Sequence, residues 1–176
     1  MNMQTTDAQD ELFDLVDEND VLIGPVKRKD AHNDPTLIHR AVGILVFNNK
    51  GQLYLQQRSQ TKDTYPGYWT VSASGHVNPG ETYRQAARKE LKEELGIINT
   101  TNLKLVKKIL MYFPNETEYY ALFQIVYSGK ISPNQEEIEE GKFFTLKRPF
   151  FQNTIKNLPM TPELQYILKH VLHEYL

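Results

Sequence analysis

The sequence predicts an α/β (α+β) fold built on a mixed β-sheet with an N-terminal β-hairpin. Three observations carry that expectation. Short apolar runs bounded by turn residues recur along the chain, only two segments show helical periodicity, and the first two extended runs are joined by a four-residue polar turn. Those runs are Leu12–Val16 and residues 21–26, and Asp17-Glu18-Asn19-Asp20 between them suits a tight reversal. Residues 31–37, with His, Asn, Asp and Pro, read as a loop. Residues 40–47 hold an apolar run from Ala41 to Phe47, the pattern of a strand buried on both faces. Residues 48–51 turn the chain into 52–58, where Leu53 and Leu55 fall on one side, and residues 68–73 read as a short strand after Pro66-Gly67. Further strands are expected at 103–113, 118–127 and 141–146. From 81 to 95 the pattern turns helical, with Ala86, Ala87, Leu91 and Leu95 as the apolar stripe and Gly96 as the stop. Thr161-Pro162-Glu163 opens a last helix reaching Tyr175, with Leu164, Ile167, Leu168, Val171 and Leu172 inward.

The chain has 176 residues, enough for one main domain, and its residues divide into a mobile arm (1–10), the hairpin and its loop (11–36) and the main domain (37–176). Lys+Arg number 20 and Asp+Glu 22, for a net charge of −2, which argues against a dedicated nucleic-acid binder. No apolar stretch has the roughly 18–20 residues that cross a bilayer. Residues 1–10 lack the basic and apolar parts of a secretory signal, so a cytoplasmic protein with no membrane partner is expected. There is no cysteine, which excludes disulfides, thiolate nucleophiles, zinc–thiolate sites and Fe–S clusters. The chemistry must use oxygen and imidazole groups.

The most informative stretch is Gly75-His76-Val77-Asn78-Pro79-Gly80-Glu81, followed by Lys89-Glu90-Leu91-Lys92-Glu93-Glu94-Leu95-Gly96-Ile97. Glu90, Glu93 and Glu94 stand at i, i+3 and i+4, so their carboxylates share one helix face. Like charges so placed repel by roughly 0.2–0.5 kcal/mol per pair. Either the face is simply solvated, or it serves a hard cation such as Mg²⁺, which takes oxygen ligands and bridges carboxylates to phosphates. The segment resembles the Nudix box, with Gly75, Glu81, Glu90, Leu91, Glu93, Glu94, Gly96 and Ile97 in register and Lys89 where the family has Arg. The resemblance implies a Nudix α/β/α sandwich and Mg²⁺-dependent (alternatively Mn²⁺-dependent) cleavage of a small-molecule diphosphate, of nucleoside-diphosphate or other organic type. It implies that Glu90, Glu93 and Glu94 hold the metal with the Gly75 carbonyl. Glu93 is then the candidate base for the attacking water, and Lys89 and Glu81 complete the catalytic set. Lys at 89 keeps the charge of Arg but loses its two-pronged grip on a carboxylate.

A wider set, His39-Arg40-Ala41, Leu55-Gln56-Gln57-Arg58-Ser59, Lys62, Pro66-Gly67 and Gly75-His76, resembles type I isopentenyl-diphosphate isomerase, itself of Nudix fold. That likeness implies a second metal site from His32, His39, His76, Glu116 and Glu118, and diphosphate contacts from Arg28, Arg58 and Lys62. Glu118 is also a candidate for the metal of the box. Two departures weigh against isomerase chemistry: Ser74 stands where the isomerase has an acid/base Cys, and Glu163 where it has a Trp. A serine hydroxyl does not exchange a proton with carbon as a tuned thiol does, and all three box glutamates are retained, so the hydrolase reading is favoured over the isomerase. A binding module on the same fold is a third reading, favoured only by Lys89. Tyr65, Tyr68, Trp69, Tyr112, Phe113, Tyr119 and Tyr120 are candidates to stack on a base, enclose an isoprenoid tail or fill the core, while His170 and His173 have no evident partner. The hairpin at 11–26 offers a surface through which a homodimer could form.

Overall fold

The computed structural model describes residues 5–147 and 155–172, so His173 and the end of the last helix lie outside the described residues. In chain order the elements are β1 (Leu12–Val16), β2 (Leu22–Lys27), α1 (Arg28–Ala31), β3 (Ile38–Phe47), β4 (Leu53–Arg58), β5 (Trp69–Thr70), β6 (Ala73–His76), α2 (Tyr83–Leu95), β7 (Lys104–Tyr112), β8 (Thr117–Val126), β9 (Ile138–Phe144) and α3 (Pro162–His170). All nine strands among the described residues join one mixed sheet. β3 is its axis: it pairs antiparallel with β1, β4 and β6 and parallel with β8 along its whole length.

Alternation along β3 decides which layer each residue feeds. Val42, Ile44 and Val46 face α2 and pack with Ala86, Ala87, Leu91 and Leu95. Ala41 and Leu45 face the other way and pack with Leu164, Ile167 and Leu168 of α3. The unbroken apolar run is thus explained by helices on both faces, as the α/β/α expectation requires.

Helix α2 is set by local chemistry. The Thr82 side chain accepts the Gln85 N–H while the Gln85 side chain takes the Thr82 N–H, and Gly96 ends the helix at φ 67°. Its first residue is therefore Tyr83, and Glu81 precedes the cap.

Two local features depart from the sequence reading. Arg28–Ala31 forms a short helix, too brief to leave a periodic signal. The strand expected at 68–73 is split into β5 and β6 by Val71 and Ser72. Here the Ser72 hydroxyl accepts the Val46 N–H at 2.8 Å and donates to the Tyr54 carbonyl at 2.5 Å, so a side chain pegs β3 to β4. β3 and β4 pair only through Val46–Phe47 and Leu53–Tyr54, after which β3 continues with β6, and β4 with β5 and β9.

The hairpin is fastened to this frame. Arg40 donates to Asp14 (3.1 Å) and to Asp20 (2.6 Å), and Asp20 also accepts from Tyr83 (2.7 Å) and Lys108. Phe13 is fully buried with Val26 and Ala31 beneath it. The reading of residues 1–10 as a mobile arm did not anticipate the contacts of Thr6 and Asp7. The Thr6 N–H donates to the Thr61 carbonyl at 3.1 Å, and Asp7 accepts from the Asp63 N–H at 2.8 Å and from Lys62 at 2.5 Å.

Because the cap of α2 holds the carboxylate helix at its N-terminus, Thr82→Ala should cost about 1 kcal/mol. In thermal denaturation this is expected as a Tm lower by about 2–4 °C.

Candidate active site

One cavity of about 440 Å³ gathers most of the residues singled out in the sequence. Among the carboxylates of α2, Glu90 and Glu94 are buried at its wall, while Glu93 is exposed at its rim. Gly75 of β6 is where it must be. A Cβ there would lie 2.3 Å from the Glu90 carboxyl carbon, so any other residue would push that carboxylate away. Lys89 Nζ stands 3.2 Å from Glu90 and 3.5 Å from Glu81, bridging the two. Glu81 itself is outside the cavity lining, where it accepts the Asn78 N–H at 3.1 Å. Glu94 accepts from the Gln56 side chain at 2.6 Å.

Burial without a matching cation shows in the protonation of these groups. Burial pushes Glu90 up to about 7 in spite of Lys89 beside it. Burial, with Glu90 adding to it, pushes Glu94 up to about 8.

A second donor set lies on the face of the sheet that meets α3. β3 contributes His39, β6 His76 and the residue after α1 His32, while β8 and the turn before it supply Glu118 and Glu116. The register makes them converge: His39 pairs with Glu118, and Ala41 pairs with His76 on one side and Tyr120 on the other. His32 Nε2 is 3.2 Å from His76 Nε2 and 3.3 Å from Glu116, and Glu118 lies 3.6 Å from His76 and 3.7 Å from His39. Phe13 stacks on His76 with ring centres 3.8 Å apart and also faces His39 at 5.4 Å. That ring fixes the imidazoles in place, a support that a hairpin phenylalanine does not announce in sequence. His39 Nε2 and Glu116 Oε2 are buried with no hydrogen-bond partner. Burial depresses His39 to about 3 and holds His76 far below the usual imidazole range. Burial, then Glu116 and Glu163, holds Glu118 well above the carboxylate range.

These are the features of a donor set suited to a divalent cation: neutral imidazoles, crowded carboxylates and orphaned acceptors aimed at one point. The Glu90–Glu94 face on Gly75, all oxygen, suits a hard cation in the same way. Glu118 sits among the imidazoles and lines the same cavity as Glu90.

The predicted phosphate-binding cations also reach the cavity, though two arrive already paired. Arg28 is held by Asp63 at 2.8 Å and Glu11 at 3.0 Å, with Asp7 at 3.4 Å, and Lys62 by Asp7 and by Glu137 at 2.7 Å. Arg58 donates to the Thr64 carbonyl and hydroxyl and, among the described residues, forms no ion pair. Ser74, Tyr120 and Glu163 line the cavity too, the last accepting from the Thr70 hydroxyl at 3.0 Å. Of the aromatic candidates, Tyr65, Phe113 and Tyr120 line it, Trp69 is core, and Tyr112 is exposed. His170 lies apart, against the ring of Tyr166.

The family model described as NUDIX domain matches residues 37–167. The chain belongs to the Nudix family. An uncharacterised Nudix hydrolase of Pseudomonas aeruginosa is 34% identical over 153 residues, covering 87% of this chain and 88% of that protein. Isopentenyl-diphosphate Delta-isomerase 2 of Photorhabdus laumondii is 36% identical over 155 residues, covering 85% of each. The crystal structure of DR0079 from Deinococcus radiodurans shares the Nudix fold, with a TM-score of 0.76 at 23% identity over 92% of this chain and 99% of that one. Among the described residues of this Nudix protein, no helix is long and apolar enough to cross a membrane.

The raised carboxylates and depressed imidazoles set opposite pH limits. Glu90 and Glu94 bind protons in the folded state up to about 7 and about 8, against 4.5 for the ordinary group, so stability falls as pH rises through that window. His39, neutral in the fold down to about 3 against 6.5, makes stability fall as pH drops below 6.5. In chelator, Tm should therefore gain nothing above about pH 6.5 and be lower at pH 8.5 than at pH 6.5 by about 5 °C. Glu94→Gln should flatten the alkaline limb, and a limb of unchanged slope in that variant would show that Glu94 is not responsible.

Proposed function

We propose that this Nudix protein is a divalent-cation-dependent hydrolase of an organic diphosphate, with Mg²⁺ as the working ion and Mn²⁺ as an alternative. The observation that carries the reading is the placing of Glu90, Glu93 and Glu94 on one wall of a cavity that Arg58, Arg28 and Lys62 also reach. Glu90, Glu93 and Glu94 with the Gly75 carbonyl would hold the ion. When bound, it neutralises charge on the phosphate oxygens, the main service that phosphoryl transfer requires.

The chain's own residues then have separate tasks. Glu93, exposed at the cavity rim, takes a proton from the attacking water. The water oxygen forms a bond to phosphorus as the bond from phosphorus to the bridging oxygen breaks, and the bridging electron pair leaves with the departing phosphate. Lys89, between Glu81 and Glu90, keeps Glu90 turned toward Gly75. Arg58 is the cation free to meet a phosphate, whereas Arg28 and Lys62 bind one by releasing Asp7.

The convergence of His32, His39, His76, Glu116 and Glu118, together with relatives named as isomerases, favours a second reading, isopentenyl-diphosphate isomerase activity. Ser74 argues against it, because a neutral hydroxyl lining the cavity is too weak an acid to protonate an alkene.

Phosphorus and proton NMR of the Mg²⁺-loaded protein with a diphosphate panel that includes isopentenyl diphosphate separates the two. Hydrolysis should release phosphate signals, and Glu93→Gln should lower turnover by roughly 10²–10⁴-fold. Ser74→Cys should still give no double-bond migration. Migration without phosphate release in the wild-type protein would replace the hydrolase reading with the isomerase one. If Asp7 competes with the diphosphate, Asp7→Asn should lower KM by roughly fivefold with kcat little changed, in line with one weak charge-assisted contact.

A further inference from the structure

Tyr120 belongs to neither donor set. Its side chain is 2% exposed, its hydroxyl has no hydrogen-bond partner, and it lines the cavity. Of the other unpartnered buried atoms, His32 Nδ1, His39 Nε2 and Glu116 Oε2 belong to the imidazole–carboxylate donor set, and Asn78 is outside the cavity lining; the Tyr120 hydroxyl belongs to neither group. Buried polar groups are normally satisfied, so one left unpaired at a cavity wall points to a ligand atom that satisfies it.

The strand register shows how the hydroxyl is delivered. Tyr120 pairs with Ala41, and its ring crosses β3 so that a Cβ at Gly43 would lie 1.8 Å from the hydroxyl oxygen. Gly43 is thus the residue whose missing side chain lets the tyrosine reach over. On its far side Gly43 pairs with Ser74, which lines the same cavity. Glu163 enters from the first turn of α3, one oxygen bonded to Thr70, with no other hydrogen bond or ion pair among the described residues.

A donor from Tyr120 and an acceptor from Glu163 match the two halves of an alcohol: its oxygen takes the tyrosine proton and its own proton goes to the carboxylate. A hydrocarbon in the same place would bury both groups unmatched. We propose that Tyr120 and Glu163 determine specificity by hydrogen-bonding a hydroxyl of a polyol- or sugar-type group joined to the diphosphate. The assignment rests on the hydrolase reading above and names the class of its substrate.

The test is a matched pair of compounds, 2,3-dihydroxypropyl diphosphate and propyl diphosphate, which differ only in hydroxyls. With wild-type protein and Mg²⁺, kcat/KM should favour the dihydroxy compound. Tyr120→Phe should lower kcat/KM for it by roughly tenfold and leave the propyl compound within about twofold, without lowering Tm, since the hydroxyl has no partner to lose. Glu163→Gln, on a different element, should shrink the same preference. Equal losses on both compounds would put Tyr120 at the reacting diphosphate and overturn the proposal, as would an unchanged preference in both variants. Should the wild-type protein hydrolyse neither compound, the hydrolase reading is decided separately by the diphosphate panel above. Recognition is then read from the Tm gain that each compound gives the Mg²⁺-loaded protein. A larger gain with the dihydroxy compound that Tyr120→Phe removes supports the proposal, and equal or absent gains overturn it.

Discussion

Like-charge crowding around one cavity is the constraint on which the rest of the structure depends. Glu90, Glu94, Glu116, Glu118 and Glu163 face a space of about 440 Å³ where Arg58 alone, of the cations expected to meet phosphate, is not already paired with a carboxylate. Such an arrangement is held against its own repulsion, and the fold supplies the holding. Glu90 is seated on Gly75, Glu94 is tied by Gln56, Glu163 by Thr70, and the imidazoles are clamped against Phe13. Each tie fixes a carboxylate or ring by contact with a strand rather than by an opposite charge. The crowding is therefore built into the fold itself, and its cost is met by the two apolar layers on either side of the sheet.

The accuracy of that seating comes from β3. Its odd-numbered residues face α3 and its even-numbered residues face α2. A slip of one residue against β8 or β6 would move Glu118, Tyr120 or His76 to the wrong face. The ten consecutive pairs with β8 and the four with β6 prevent it. The early parting of β3 from β4 matters as much. Beyond Val46 the two strands take different partners, and residues from both sides of the parting, Ser74 and His76 on one and Arg58 on the other, line the cavity.

What could be read from the sequence was what is decided locally. The cap and stop of α2 lie within a few residues of the helix, and the spacing of Glu90, Glu93 and Glu94 is a property of any helix. The hairpin was legible for the same reason, since Asp17 and Asp20 make their turn among neighbours. Features set by distant contacts were not legible. Asp7 is a polar residue in a polar tract until Lys62 and Arg28 are brought to it by the fold. Phe13 reads as an ordinary strand residue until three imidazoles are stacked around it. Tyr120 is one of several strand aromatics, and only its juxtaposition with Gly43, 77 positions away in the chain, lets its ring cross β3. Glu81, by contrast, matched its motif yet stands outside the cavity, because the cap begins the helix after it and its carboxylate serves the preceding turn and Lys89.

Hydrolysis of a diphosphate and isomerisation of an alkenyl diphosphate differ in where a proton must go. A hydrolase delivers water to phosphorus and needs a base at the cation-binding wall, where Glu93 stands at the open rim. An isomerase delivers a proton to carbon and needs an acid over an apolar floor at the inner end. In this chain Ser74, Tyr120 and Glu163, three oxygen-bearing side chains with a hydroxyl left unpaired among them, line the cavity. Such a lining is poorly matched to a hydrocarbon and lacks the thiol that the isomerase resemblance implies at position 74. On the proposed hydrolase reading, a chain can share its candidate metal-binding residues with both kinds of relative while the oxygen-bearing side chains of its cavity favour only one of the two reactions.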